Sequence, residues 1–255
     1  MDVKDFDNDI DLRLNLLCGD PLHADSVEVR PLTLRQIKDV GYSAYSKYLS
    51  ILTMEKKDIL QDVAEFDEYS LIDIVIMSQS DILLKAFSEG LALFLGETVE
   101  DLVITDKAFI FGAKDSSRDI RDCKVINFSN FADIVQILKY QNCLIGATET
   151  YKRTNPADEK AKRILEKLKK SKEILSKKKA EESSPDQEID IADIVSAVST
   201  KSNTYNKSNI WDITTYQLYD EYRRLEAIST YETNILAMIQ GAKIDNLKHW
   251  SAKID

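Results

Sequence analysis

The chain has 255 residues but only 7 Gly and 4 Pro, far below the roughly 7% and 5% of ordinary proteins. That scarcity excludes the turn chemistry of sandwiches, barrels and glycine-rich nucleotide loops, and predicts a helix-dominated protein. A net charge of −10, from 44 acids and 34 bases, repels nucleic acid and anionic membrane surfaces at long range.

The first residues, Met1-Asp2-Val3-Lys4-Asp5, are acidic and lack the apolar stretch of a signal peptide. Asp5, Asp7, Asp9 and Asp11 alternate, but a calcium loop starting at Asp5 needs Gly at its sixth position and Glu at its twelfth. Ile10 and Leu16 stand there instead. Leu12, Leu14 and Leu16 alternate with Asp11, Arg13 and Asn15. A second alternation at Val27-Glu28-Val29 follows the turn signal Gly19-Asp20-Pro21, so a small N-terminal β-hairpin is expected.

Thr33 with Gln36 forms a capping box, each side chain satisfying a free N–H of the helix start. The helix it opens carries Leu34, Ile37, Gly41, Ala44, Tyr45, Tyr48 and Leu52 on one face. Further helices are expected from Ser70 through Ile76, and from Ser80 or Asp81 to Gly96. A helical turn at Thr98–Val103 precedes expected strands at Ala108–Phe111 and Val125–Phe128, separated by the polar loop from Lys114 to Arg121. Asn130 or Ser129 caps a helix that buries Phe131, Ile134, Val135, Ile137 and Leu138.

The character then changes. Between Lys152 and Glu182 stand twelve bases and six acids, a net of +6, leaving −16 elsewhere. Ala161–Lys179 reads as an exposed charged helix with a thin stripe of Ile164, Leu165, Leu168 and Leu175, followed by a loop at 181–186. A short helix is expected at Ile189–Val198 and a polar linker at Lys201–Ser208. After Trp211, a second box, Thr214 with Gln217, opens a helix that presents Leu218, Tyr222 and Leu225. Ser229 with Glu232 is a third box, so a break and restart are expected there before the helix ends at Gly241.

The chemistry-bearing residues are sparse. Cys18, Cys123 and Cys143 are odd in number and never spaced as CxxC, so they read as buried free thiols in a reducing, intracellular setting. His23 and His249 lack partners at metal-ligand spacing and read as a turn residue and a packing residue. There is no P-loop, GxGxxG, GxSxG or HExxH, and the longest apolar runs are too short to span a membrane. No catalytic residue, metal or cofactor is expected, and the chain is not read as an enzyme. Abundant carboxylates are the sole support for a metal-dependent hydrolase. The basic helix 160–179 supports an alternative, a nucleic-acid-associated regulatory protein. It lacks interleaved aromatics for base stacking, so a solvated spacer or docking helix is favoured. Five of eleven tyrosines and both tryptophans lie beyond residue 200. Trp211, Tyr216, Tyr219, Tyr222 and Trp250 are the candidate partner-binding residues, because such side chains bury much area with few rotors to freeze.

Val29 to Ile37 and Ile210 to Asp220, with support from Asn127 to Asn142, resemble tail-morphogenesis proteins of tailed bacteriophages. The resemblance is to the kind called baseplate hub assembly proteins or tail assembly chaperones, and it covers about a third of the chain. It implies a non-catalytic protein that binds other phage tail or baseplate proteins in the host cytoplasm, as an assembly factor or a part retained in the virion tail. It leaves open an oligomer. The implied architecture is mainly α with a small N-terminal β element: 1–150 and 207–255 pack together, and 151–206 is a charged helical insertion and linker between them.

Overall fold

The structure, a computed structural model, describes residues 9–59, 68–115, 119, 122–144, 189–244 and 246–253. The expected helix at 161–179, the loop at 181–186 and the acids Asp5 and Asp7 lie outside these residues. The fold is mainly α, with two small antiparallel sheets.

Helix α1 (Asp9–Cys18) stands where the first strand was expected. The alternating leucines also contain the helical pair Leu12 and Leu16, both buried, while Leu14 and Leu17 face outward. Gly19 closes this helix rather than opening a hairpin. Its φ of +75° is left-handed, and a Cβ there would meet the Gln217 and Thr214 side chains at 3.3 Å. The hairpin follows, with β1 (Leu22–Ala24) paired to β2 (Val27–Val29). Asp25, at φ +53°, supplies the turn. Leu22, Ala24, Val27 and Val29 are buried, and His23 stands in the strand opposite Glu28, not in a turn.

The helix expected from Leu34 to Leu52 is two, α2 (Leu34–Val40) and α3 (Tyr42–Thr53). The expected buried face is kept, but Gly41 at φ +93° turns the chain between them. A short α4 (Lys56–Ile59) follows. Helix α5 (Leu71–Met77) starts at a capping box of Ser70 and Asp73. Helix α6 (Asp81–Leu95) is capped by Ser80 and ends at Gly96. After a 3-10 turn at Val99–Asp101 come β3 (Val103–Ile104), β4 (Ala108–Phe111) and β5 (Lys124–Asn127), paired in that order. The Lys124 ammonium donates to the Leu95 carbonyl at 2.5 Å and lies 3.3 Å from Glu97, which ties this sheet to the negative end of α6.

Helix α7 (Phe131–Gln141) begins after Asn130, but Asn130 does not cap it with its side chain. The amide accepts from the Asn127 N–H and donates to the Val125 carbonyl, so it braces the turn after β5. The core lies where α3, α6 and α7 meet the two sheets: Phe87 packs against Phe131, and Tyr45 against Phe94.

Helix α8 (Ile191–Lys201) opens with a box of Asp190 and Asp193, and α9 (Thr215–Ile239) with the expected box of Thr214 and Gln217. The expected break at Ser229 does not occur. No Gly or Pro interrupts residues 215–239, so nothing stops the helix, and Thr233 donates back to the Ser229 carbonyl at 2.8 Å. The polar stretch at 201–208 is pinned rather than loose: Ser202 accepts from the Thr204 and Tyr205 N–H groups and donates to Glu221.

The two ends of the chain meet at a seam. Thr33 and Thr214, the caps of α2 and α9, form an antiparallel bridge, and the Leu34 N–H donates to the Ile213 carbonyl at 2.9 Å. Arg35 pairs with Asp212 at 3.0 Å, and the Gln217 amide donates to the Leu17 carbonyl at 2.7 Å. Leu218, one turn into α9, is fully buried.

Candidate docking surface

The seam sets α8 beside α2 and leaves a groove of about 460 Å3 between them. Leu34, Ile37 and Tyr42 form one wall, Ile191 and Val195 the other, and Ile210 and Trp211 the floor. Spacing explains α8. Ile194 and Val198 turn into the core, while Ile191 and Val195, three residues earlier on the cylinder, remain half-buried in the groove. The 3-10 turn Ile210–Asp212 holds Trp211 in place, and its indole N–H donates to the Lys207 carbonyl at 3.0 Å.

The five aromatic candidates do not form one site. Trp211 lines the groove. Tyr222 lines a smaller cleft between α8 and α9 with Leu225 and Lys201. Trp250 is exposed on the tail, beside a cleft of about 640 Å3 with Tyr231, His249 and Arg223. There the Arg224 guanidinium donates to the carbonyls of Trp250 and Ala252, and the His249 ring lies 5.1 Å from that of Tyr231. His249 is thus a packing residue, as its position suggested. Tyr216 and Tyr219 are half-buried against the core at the start of α9.

Burial dominates the electrostatics of this end of α9. It pushes the Tyr45 phenol up to about 12 and raises those of Tyr216 and Tyr219 as well. The Tyr45 hydroxyl donates to the Asn142 side chain. Burial also pushes the Cys143 thiol up to about 11, the opposite of what a nucleophile needs. Cys18, expected to be buried, is exposed, because it lies at the end of α1 away from the Leu12–Leu16 face. Among the described residues, no group of three His, Cys, Asp or Glu side chains could hold a metal ion. No helix among them is long and apolar enough to cross a membrane.

Reading the sequence missed the groove's other lining residues. Leu34 and Ile37 were legible only as core, and the helical spacing of Ile191 and Val195 was the one signal that α8 had a second apolar stripe.

A family model described as the YomV second domain matches residues 177–255. The family is phage-associated: YomV is an SPbeta-type phage protein. The matched span takes in α8, Trp211, α9 and the tail, and stops short of α1 to α7. No curated protein and no solved structure matches the chain.

Proposed function

We propose that this is a bacteriophage tail or baseplate morphogenesis protein that acts by protein–protein contact, with no catalytic centre, cofactor or metal of its own. It works in the host cytoplasm as an assembly factor, or stays in the virion tail as a baseplate component. One observation carries the reading: the span matched by a phage-associated domain is the part that holds α8, Trp211 and one wall of the apolar groove. The resemblance of Val29–Ile37 and Ile210–Asp220 to tail-morphogenesis proteins narrows the process, since both stretches meet at the seam. Trp211, Tyr216, Tyr219, Tyr222 and Trp250 are the proposed contact residues. Trp211 in the groove and Trp250 on the tail are the two best placed to meet a partner.

Affinity capture of the full chain from infected cells tests this. Other tail or baseplate proteins are expected to co-purify, in amounts that fall when Trp211 and Trp250 are replaced by Ala. Capture of nucleic acid without any tail protein would overturn the reading in favour of a regulator.

A further inference from the structure

The cleft between α9 and the C-terminal tail has a charge opposite to that of the chain around it. Three bases line it, Arg223, Lys248 and Lys253, against one acid, Glu226, in a chain whose net charge is −10. Arg223 and Lys248 are exposed, and neither forms an ion pair among the described residues. Their charge is therefore unspent, and a concave wall of one sign concentrates groups of the other. The site is also preformed. Arg224 donates to the Trp250 carbonyl at 2.6 Å and to the Ala252 carbonyl at 3.1 Å, which holds the tail against α9.

The rest of the lining selects among anions. Tyr231, His249 and Trp250 stand in a row, with ring centroids 5.1 Å and then 5.3 Å apart, and Trp250 is 42% exposed. That row offers flat apolar area to a side chain that enters the cleft. Thr230, Asn234 and Asn246 line the same cleft, and none of their side chains bonds to another described residue. Hydroxyl and amide groups of this kind pair with the free N–H and C=O groups of an extended segment. A helix spends those groups on itself.

We propose that this cleft docks a short, extended, acidic segment of another tail or baseplate protein. Carboxylates of the segment meet Arg223 and Lys248, and one of its aromatic side chains packs on Trp250. This rests on the reading of the protein as one that works by protein contact, and gives that partner a chemistry. Every residue lining the cleft falls within the span matched by the phage-associated domain, whereas Leu34, Ile37 and Tyr42 of the α2–α8 groove lie outside it. A nucleic-acid strand would meet the same cations and rings, but its charge would continue over a body that carries −16 outside residues 152–182. A protein segment need be acidic only where it lies in the cleft.

Nuclear magnetic resonance on the full chain tests this, because the two tryptophans give two indole N–H signals, one in each candidate surface. The probe is the peptide Asp-Glu-Phe-Asp-Glu. It is expected to shift the Trp250 indole and the Asn234 and Asn246 side-chain amides, and to leave the Trp211 indole in place. Replacing its Phe by Ala should weaken binding, and Lys-Lys-Phe-Lys-Lys should not bind. Arg223→Gln and Lys248→Glu should each weaken the acidic peptide about tenfold, the loss of one charge-assisted contact. Both positions are exposed, so neither change buries a charge, and an unmoved Trp211 signal reports that the variants fold. No shift at Trp250, equal binding of the basic peptide, or undiminished binding by the double variant would overturn the proposal. So would tighter binding of oligothymidylate, or a Trp250 signal that moves with protein concentration alone, which would put a second copy there. Capture of tail proteins from infected cells is read separately: retained capture with no peptide binding sinks this proposal and leaves the reading of function standing.

Discussion

The two halves of α9 are one unbroken helix with opposite roles. Its first turns, from Thr214 to Leu225, are bridged to Thr33, bonded to Leu17 and packed with α8, and Leu218 there is fully buried. Its last turns carry Leu236, Met238 and Ile239 at 60%, 43% and 76% exposure. Apolar content alone does not distinguish them. The difference is which neighbours reach each half, and it separates aromatic residues that hold the fold together from surface that is free to meet something else.

A chain cut between Lys167 and Ser184 gives the largest test. If the first half of α9 is core, the two fragments elute together and part only in denaturant; fragments that separate without it would break the comparison. Next, Leu218→Ala should cost about 2–5 kcal/mol in a denaturant titration, whereas Leu236→Ser should stay within about 0.5 kcal/mol. Equal costs would show that the halves are not distinct. The third test is pH. Burial holds the Tyr45 phenol near 12 instead of 10, so folding favours the neutral form. That contribution is complete below pH 10 and is lost as pH rises through about 12. Melting temperature should fall across that window, less steeply in Tyr45→Phe. Smallest of these, Thr214→Ala removes the cap at the seam and should cost about 1 kcal/mol, compared with nearly nothing for Ser229→Ala, whose capping box is never formed.

The local signals in the sequence were those settled by a few adjacent atoms. The boxes at Thr33 and Thr214, the stop at Gly96 and the amphipathic faces of α6 and α7 each depend on residues three or four apart, and each was legible. The failures occurred where two local patterns competed. Leu12, Leu14 and Leu16 satisfy a strand period, but the core takes in only Leu12 and Leu16 and leaves Leu14 exposed, so the helix wins. Ser229 with Glu232 satisfies a capping pattern, yet a helix already propagating through residues with no Gly or Pro has no reason to stop. Asn130 occupies a cap position, and its amide is taken by Asn127 and Val125 instead.

By itself, then, the sequence determined a helix-dominated chain, the starts of its main helices and the contrast between an acidic body and a basic stretch at 152–182. Composition and short-range spacing suffice for those. Only the tertiary structure decided that Thr33 meets Thr214 across 181 residues of chain, that the five aromatic candidates scatter over separate surfaces, and that Trp211 floors a groove bounded by α2 and α8. Those depend on which distant faces pack together, and no periodicity along a single segment encodes its partner.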